Sequence, residues 1–306
     1  MSEKIGIIGL GIMGSAYTKN LSAAGYEIVG FDVNEERFEA QGNARIIRAS
    51  SPTDVVNQVD RVITSLPHPD ALIAVADEIS KSGQEVIIAD TCTLKISDKI
   101  KARDILAEKG ITLLDCPVSG TGHQAWAGDL VIFGSGDQAS FDKVKPAFEK
   151  MGREVYYLGE FGIGSKMKYI ANLLVVIHNV SSAEAITYGV KAGIDPQLVY
   201  DVIKSSAGSS RMFEVRGQMM VDNKYDENVS ANHLITKKDI SVILDFADEM
   251  GCPTPLFSLA GDIHRAAIAQ GRALEDTASV CAVTDNLAGV KPVSYTHLTL
   301  PTTWLV

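Results

Sequence analysis

The first half of the chain alternates short apolar runs with segments of mixed polarity. The apolar runs are Lys4–Ile8, Glu27–Phe31, Arg61–Leu66, Glu85–Asp90, Thr112–Cys116, Leu130–Ser135 and Val155–Leu158. Helix-like segments begin near Met13, Asn34, Pro52, Pro69, Leu94 and Gln138. Strands that alternate strictly with helices indicate parallel β-α-β units. The pattern therefore predicts an α/β fold with a doubly wound parallel sheet, whose strands are apolar because helices cover both faces.

The pattern changes after Gly164. Residues 165–192 are predicted to form one helix of about 42 Å at 1.5 Å per residue, and its middle, residues 170–177, is apolar on almost every side. Asp195 and Pro196 supply a cap and a first-turn proline for the next helix. Further helices are predicted near 209–221, 236–250 and 256–270. We expect the long helix to lead from the α/β domain into an all-α C-terminal domain.

Composition places the chain among ordinary globular proteins. Apolar residues make up 46% and charged residues 22% of its 306 positions, which excludes a disordered chain or a small disulfide scaffold. The formal net charge of −10 argues against a nucleic-acid or anionic-membrane surface. The N-terminus has no signal-peptide pattern, and the four cysteines lie far apart. We therefore expect a cytoplasmic protein with reduced thiols, no membrane or nucleic-acid partner and no metal site.

The last fifteen residues do not fit this composition. Residues 292–306, PVSYTHLTLPTTWLV, contain no Asp, Glu, Lys or Arg. This peptide resembles a translated transposase-type sequencing adapter. We therefore predict that 292–306 is a poorly ordered read-through product and that the native C-terminus is missing. The expected organisation is an α/β domain over residues 1–161, an all-helical domain over 162–291, and a non-native tail over 292–306.

A glycine-rich loop follows the first strand. Gly9, Gly11 and Gly14 form a G-x-G-x-x-G pattern between a predicted strand and a predicted helix. In that context the glycines permit a tight turn, a close approach to a pyrophosphate and close helix packing. Asp32 ends the next strand, where its carboxylate would bind the adenosine ribose and repel a 2′-phosphate. With Val33 rather than arginine after the acid, the pattern predicts a Rossmann-type site that favours NAD over NADP.

Four motifs spread over residues 4–285 carry a resemblance to a known family. They are the glycine loop with its helix at 9–21, DCPVSGTG at 115–122, GIGSKMKYIAN at 162–172, and the Lys238-Asp239 pair. Together they resemble the β-hydroxyacid dehydrogenase family, which includes 3-hydroxyisobutyrate dehydrogenase and tartronate semialdehyde reductase. The resemblance implies hydride transfer between NAD and a small β-hydroxy acid, which is converted to its aldehyde or ketone.

The resemblance also implies roles for individual residues. Lys168 takes the position of the family's catalytic lysine and Asn172 that of its partner. Ser119, Gly120 and Thr121 stand in the substrate loop, where the family usually has Ser-Gly-Gly. The implied cofactor-binding residues are Gly9, Leu10, Gly11, Ile12, Met13, Gly14, Asp32, Leu66, Pro67, Thr93 and Lys238.

One segment of the second half narrows the resemblance. Residues 207–216, AGSSRMFEVR, are similar to a segment of members that resemble L-threonate dehydrogenase, which usually carry NSWMFENR. Arg211 stands where the tryptophan would be, which puts L-threonate itself in doubt and favours a small polyhydroxy or doubly acidic substrate. The alternative is that residues 209–221 form a helix that serves only packing, with Arg211 exposed to solvent and without a role in substrate binding.

Alcohol oxidation needs a hydride acceptor and a base. Nicotinamide accepts the hydride, and the protein supplies the base. Lys168 can be that base if burial and a nearby cation such as Lys238 lower its pKa. Asn172 follows one helical turn later on the same face, so it can bind the substrate carboxylate or hydroxyl. Without the resemblance, a lysine near a helix start is usually a solvated residue.

Other functions and the state of assembly stay open at this stage. One alternative is a relative that reduces imines, although such relatives commonly replace the catalytic lysine. A second alternative is a non-catalytic dinucleotide sensor. The long apolar helix exceeds what a helical domain of about 130 residues can easily cover, so we expect a homodimer or a homotetramer.

Overall fold

A computed structural model describes residues 3–39, 46–227 and 229–290. The predicted adapter tail at 292–306 lies outside the described residues. Within the described ranges the chain forms nine strands, thirteen α-helices and one short 3₁₀ turn.

Six parallel strands form the main sheet in the order β3-β2-β1-β4-β5-β6. These strands are β1 Lys4–Ile8, β2 Glu27–Phe31, β3 Ile46–Arg48, β4 Arg61–Thr64, β5 Ile87–Asp90 and β6 Thr112–Asp115. The helices between them are α1 Ile12–Ala23, α2 Glu36–Glu39, α3 Pro52–Val56, α4 Pro69–Ile79 and α5 Ile96–Ala107. The order reverses between β1 and β4, as in dinucleotide-binding folds. The predicted Rossmann-type sheet is confirmed.

Alternate residues of the strands enter two separate apolar cores. Ile7 of β1 and Ile28 of β2 belong to one core, whereas their neighbours Ile8 and Val29 belong to the other. All four side chains are buried. Because successive side chains in a strand point to opposite faces, continuous apolar runs serve a sheet that is covered on both sides.

Three further strands form a second, smaller sheet. β7, Val118–Ser119, pairs antiparallel with β8, Leu130–Gly134, and β8 pairs parallel with β9, Gly152–Tyr157. The intervening helices are α6 Gly122–Trp126 and α7 Gln138–Phe148. Sequence analysis predicted neither β7 nor α6, because each is too short to show a period.

The rest of the described chain is helical. It contains α8 Ile163–Lys191, α9 Pro196–Ile203, α10 Arg211–Asp222, α11 His233–Glu249, α12 Pro255–Ala269, a 3₁₀ turn at Thr277–Ser279 and α13 Val280–Ala288. Asp195 caps α9 by accepting the Leu198 N–H at 3.1 Å. The predicted helical C-terminal region is confirmed, although α13 was not predicted.

The chain divides into two compact units. Unit 1 contains Met1–Leu174 and Lys238–Thr254, and unit 2 contains Val175–Lys237 and Pro255–Val306. The division therefore falls within α8 and within α11. A domain boundary between residues 161 and 162 remains a prediction.

The longest helix, α8, has the length and apolar composition of a membrane span, and no other helix in the described ranges does. Its buried side chains include polar and charged ones, among them Ser165, Lys168 and Asn179. The core helix of a folded globular protein passes the same test of length and composition.

Unit 2 is organised around a buried ion pair. Arg216 of α10 donates from Nε to Asp276 Oδ1 at 2.9 Å, and both side chains are almost fully buried. The second oxygen of Asp276 accepts the Ser230 N–H at 2.9 Å. Such a pair fixes α10 against the 3₁₀ turn, because neither charge has water as an alternative partner.

Candidate active site

The candidate site lies in unit 1, at the edge of the main sheet where the carboxyl ends of its parallel strands meet. Gly9 follows β1, Asp32 follows β2 and Ser65 follows β4, while Thr91 follows β5 and Cys116 follows β6. Ligands of open α/β sheets bind at this edge, near the point where the strand order reverses. Five of the predicted site segments therefore lie at this edge of the sheet, namely the glycine loop, Asp32, Leu66-Pro67, Thr93 and the 115–122 loop.

The glycine loop packs too tightly for side chains at two of its three glycines. A β-carbon at Gly9 would lie 2.2 Å from the Ser65 carbonyl oxygen, and Gly9 has a φ of +92°. A β-carbon at Gly14 would lie 1.8 Å from the Gly9 carbonyl oxygen. Gly11 differs, because a β-carbon there would meet nothing within 4 Å. The open space beside Gly11 is where a ligand can approach the backbone.

The first turn of α1 fits an anionic group. Gly11 is the N-cap, no side chain caps the helix, and no acidic residue lies in its first turn. Its leading N–H groups and the positive end of the helix dipole face that open space. Leu10 is buried and Ile12 is 63% exposed, so the loop has one anchored side and one open side. These features fit the pyrophosphate of a dinucleotide.

Asp32 holds the same loop in place. Its Oδ2 accepts the Leu10 N–H at 2.7 Å, and its Oδ1 accepts the Asn34 N–H at 2.8 Å. Val33 is 91% exposed. The carboxylate therefore lies beside the glycine loop, as ribose recognition requires.

The loops after β4 and β5 are joined to each other and to α11. The Leu66 N–H donates to Cys92 Sγ at 3.0 Å, and Pro67 follows in the same loop. Lys238 donates from Nζ to the Thr93 carbonyl oxygen at 2.9 Å. Leu66, Thr93 and Lys238 are thus brought together as a connected set.

The predicted substrate loop lies against the glycine loop. Gly120 has a φ of +142°, and a β-carbon at Gly122 would lie 2.7 Å from Ile12 Cγ2. The Ser119 hydroxyl has no hydrogen-bond partner among the described residues. Thr121 has a local use, because it forms a capping box with Gln124 at the start of α6. Its hydroxyl therefore stabilises α6, which sequence analysis did not foresee.

Lys168 is a buried lysine on the first turns of α8. It is 8% exposed, and no carboxylate oxygen lies within 4.0 Å of its nitrogen in the described part of the chain. Burial lowers the pKa of Lys168 to about 8, with the positive charge of Lys238 acting in the same direction and Asp239 opposing it. An amine of this kind can gain or lose a proton near neutral pH.

Asn172 and Asp239 are joined across α8 and α11. Asn172 donates from Nδ2 to Asp239 Oδ2 at 2.9 Å. The other oxygen of Asp239 is 3.2 Å from Lys238 Nζ, without hydrogen-bond geometry. Sequence analysis noted Asp239 only as part of a motif and gave it no role. The only sequence signal for a role of Asp239 was that this acidic residue directly follows Lys238 in the motif.

The remaining predicted residue, Arg211, lies in unit 2 on the first turn of α10. It is solvent-exposed and pairs with Glu214 of the same helix at 2.9 Å. This geometry is that of a solvated surface pair. Separately, in the ranges that the structure describes, no group of three or more His, Cys, Asp or Glu residues is placed to hold a metal ion.

Comparison with known proteins now decides the family. Residues 4–159 match the NAD binding domain of 6-phosphogluconate dehydrogenase, and residues 162–284 match the NAD-binding domain of NADP-dependent 3-hydroxyisobutyrate dehydrogenase. The chain belongs to the β-hydroxyacid dehydrogenase family. Membership makes it an NAD(P)-dependent oxidoreductase of the hydroxy-acid dehydrogenase class.

Individual relatives of this dehydrogenase cover nearly its whole length. The L-threonate dehydrogenase of Cupriavidus necator is 31% identical over 92% of the chain and 96% of its own length. The 2-(hydroxymethyl)glutarate dehydrogenase of Eubacterium barkeri is 30% identical over 94% of the chain and 97% of its own length. A crystal structure of 3-hydroxyisobutyrate dehydrogenase from Salmonella typhimurium matches with a TM-score of 0.80 at 28% identity, covering 92% and 100% of the two chains.

The contrast between Gly11 and Gly14 provides a test of the cofactor site. Gly11→Ala should leave the melting temperature of the dehydrogenase nearly unchanged, because its β-carbon meets no protein atom. It should weaken NADH binding about tenfold or more, because the methyl group enters the space for the pyrophosphate. Fluorescence titration with NADH measures the affinity. Gly14→Ala is the control that should lower stability, and unchanged NADH affinity in Gly11→Ala would refute the assignment.

Proposed function

We propose that the enzyme interconverts a small β-hydroxy acid and its aldehyde or ketone, with Lys168 as the general acid and base. The observation that carries the proposal is a buried lysine, without a carboxylate within 4.0 Å in the described chain, whose pKa lies near 8. NAD, when bound, supplies hydride acceptance at its nicotinamide ring.

The proposed role of Lys168 is proton transfer at the reacting oxygen. In oxidation the neutral amine accepts the proton of the substrate hydroxyl, which leaves an ammonium. In reduction the ammonium returns that proton to the oxygen. Burial supports both directions, because it places the two forms of Lys168 close in free energy near pH 8.

Asn172 is proposed to orient the substrate beside Lys168. Asp239 accepts one N–H of the Asn172 amide, which fixes the amide plane and leaves Oδ1 and the second N–H for a ligand. Lys168 and Asn172 lie one helical turn apart on α8. The same substrate can therefore meet both side chains.

The substrate carboxylate is proposed to bind at Ser119 and Gly120. The Ser119 hydroxyl is free in the described structure and can donate to a carboxylate. Gly120, with a φ of +142°, gives the loop the backbone conformation that follows Ser119. Thr121 remains a proposed substrate residue through its position in that loop. For Arg211, the exposed pair with Glu214 supports a surface role as much as a contact with an acidic or polyhydroxy substrate.

We propose NAD rather than NADP as the working cofactor. Asp32 carries a full carboxylate beside the glycine loop, and a 2′-phosphate at that position would meet this negative charge. The neighbouring Arg48 is paired with Glu35 at 3.0 Å, which reduces its value as a phosphate ligand.

The cytoplasm is the proposed location. All four cysteines are free thiols, and three of them are buried without a disulfide, which is typical of a reducing compartment. The net charge of −10 gives no support to a nucleic-acid or anionic-membrane partner.

A substrate panel tests the proposed reaction. Purified enzyme is incubated with L-threonate, 3-hydroxyisobutyrate, L-serine and 2-(hydroxymethyl)glutarate, each with NAD or NADP, and reduced nicotinamide is followed by absorbance. Lys168→Met should lower kcat at least a hundredfold, because general acid and base catalysis contributes about that much. Lys166→Met is the matched control, since Lys166 lies on the same helix but is exposed. Equal turnover by Lys168→Met and the wild type would exclude the assigned role.

The pH dependence tests the electrostatic surroundings of Lys168. Oxidation needs the neutral amine, so kcat/KM for oxidation should rise with pH through about 8. The reduction rate should fall over the same interval, because it needs the ammonium. Asp239→Asn removes a group that raises the Lys168 pKa, so the oxidation limb should move to lower pH. Lys238→Met removes a group that lowers this pKa, so the limb should move to higher pH. Two shifts of the same sign would contradict the proposal.

We propose a homodimer or homotetramer as the working assembly. Apolar side chains on α8 remain exposed in the single chain, including Ile170, Leu174 and Tyr188. Exposed large apolar side chains on one helix are typical of a surface that another subunit covers. Light scattering after size exclusion should give two or four times the 32.8 kDa of one chain. A single-chain mass at micromolar concentration would exclude this assembly.

A further inference from the structure

A fully buried lysine lies at the carboxyl ends of β5 and β6. Lys99 of α5 is 0% exposed and its nitrogen lies 2.9 Å from Asp90 Oδ2 and 2.7 Å from Asp115 Oδ1. Asp90 ends β5 and Asp115 ends β6. One cation thus joins the last residues of two neighbouring strands.

The same carboxylate of Asp115 holds the first turn of α8. Asp115 Oδ2 accepts the Ser165 N–H at 2.7 Å, and Asp115 Oδ1 accepts the Ser165 hydroxyl at 2.8 Å. Ser135 adds a bridge, because its hydroxyl oxygen accepts the Gly164 N–H at 3.0 Å.

The first turn of α8 packs tightly against the strand ends at Gly164. A β-carbon at Gly164 would lie 2.3 Å from the Phe133 carbonyl oxygen and 2.7 Å from that of Asp115. Ser165 precedes Lys168 by three residues, so both side chains lie on the same side of the helix. The first turn of α8 is therefore held within a narrow range of positions.

Lys99 allows this arrangement to remain charged. Burial alone would lower its pKa, but Asp115 and Asp90 outweigh burial and raise the pKa above its ordinary range. Without the cation, two fully buried carboxylates on paired strand ends would have no counter-charge. Their repulsion would displace Asp115 from the position in which it accepts both donors of Ser165.

We propose that Lys99 and Ser165 are positioning residues for the hydroxy-acid dehydrogenase reaction, which fix the first turn of α8 and thereby keep Lys168 buried. The inference rests on the proposed function of Lys168 as acid and base. The inference gives a physical reason for the burial of Lys168, because a loosened first turn of α8 would let water reach the amine.

The test combines chemical labelling with kinetics. Trace acetylation by acetic anhydride at a series of pH values, with the Lys168 peptide quantified by mass spectrometry, gives the pKa of its amine without any turnover. NADH fluorescence titration gives the concentration of folded NADH-binding sites, to which the kinetic constants are normalised. Ser165→Ala should raise the Lys168 pKa toward that of an ordinary lysine and lower kcat/KM per NADH site about tenfold, since small misplacement of catalytic groups is costly. Ser165→Thr, which keeps the hydroxyl, should restore both values.

Two further variants separate positioning from folding. Ser182→Ala is the matched control, because Ser182 is also buried on α8 but donates only to the His178 carbonyl oxygen of its own helix. It should label and react like the wild type. The double variant Lys99→Met with Asp90→Asn removes one positive and one negative charge, and it should repeat the Ser165→Ala effects.

Wild-type labelling and turnover in Ser165→Ala would overturn the proposal. Equal losses in Ser165→Ala and Ser182→Ala, with an unchanged Lys168 pKa, would also overturn it, because only stability would then be affected. If the wild type oxidises no member of the panel, the proposed function fails, while the labelled pKa values still decide whether Lys99 and Ser165 position Lys168.

Discussion

The bonds from Asp115 to the first turn of α8 connect the sheet to the helix that carries the proposed catalytic residues. A parallel sheet brings its carboxyl ends to one edge, but it does not by itself fix a helix that starts more than forty residues after β6. Ser165 makes that connection directly, because its N–H donates to Asp115. Gly164 makes it through Ser135, whose hydroxyl accepts the Gly164 N–H and donates to the Asp115 carbonyl oxygen. The cost of burying Asp115 is offset because Lys99 lies 2.7 Å away. The position of Lys168 therefore depends on charges that never touch a substrate.

Much of the fold could be predicted from the sequence because its signals are local. The glycine loop, Asp32 and the apolar runs of β1 and β2 are each readable over a few residues. The antiparallel strand β7 could not be predicted, since it is two residues long and is defined by pairing with β8. Lys99 was also missed. It stands in α5 among other charged residues, and only contact with Asp90 and Asp115 distinguishes it from its exposed neighbours.

The site shows the same division between local and non-local information. Motifs indicated Lys168 and Asn172, and helical spacing put them on one face. The bond from Asn172 to Asp239 joins residues 67 positions apart, and no spacing rule gives that distance in space. Thr121 illustrates the opposite case, because a hydroxyl expected in the substrate pocket has a local partner in Gln124.

The carboxylate of Asp32 has a structural role in the protein that does not depend on a bound ligand. Both of its oxygens accept backbone N–H groups, from Leu10 and from Asn34. Asp32 therefore fixes the conformation of the loop in addition to giving it a negative charge. An engineer who wishes to make the enzyme accept a phosphorylated nucleotide faces a conflict, since a neutral amide in place of Asp32 keeps only one of the two acceptor oxygens. A short neutral side chain that still accepts hydrogen bonds, with a cation introduced at the exposed Val33, would separate the two duties. Cofactor preference in this chain is thus tied to the architecture of its own binding loop.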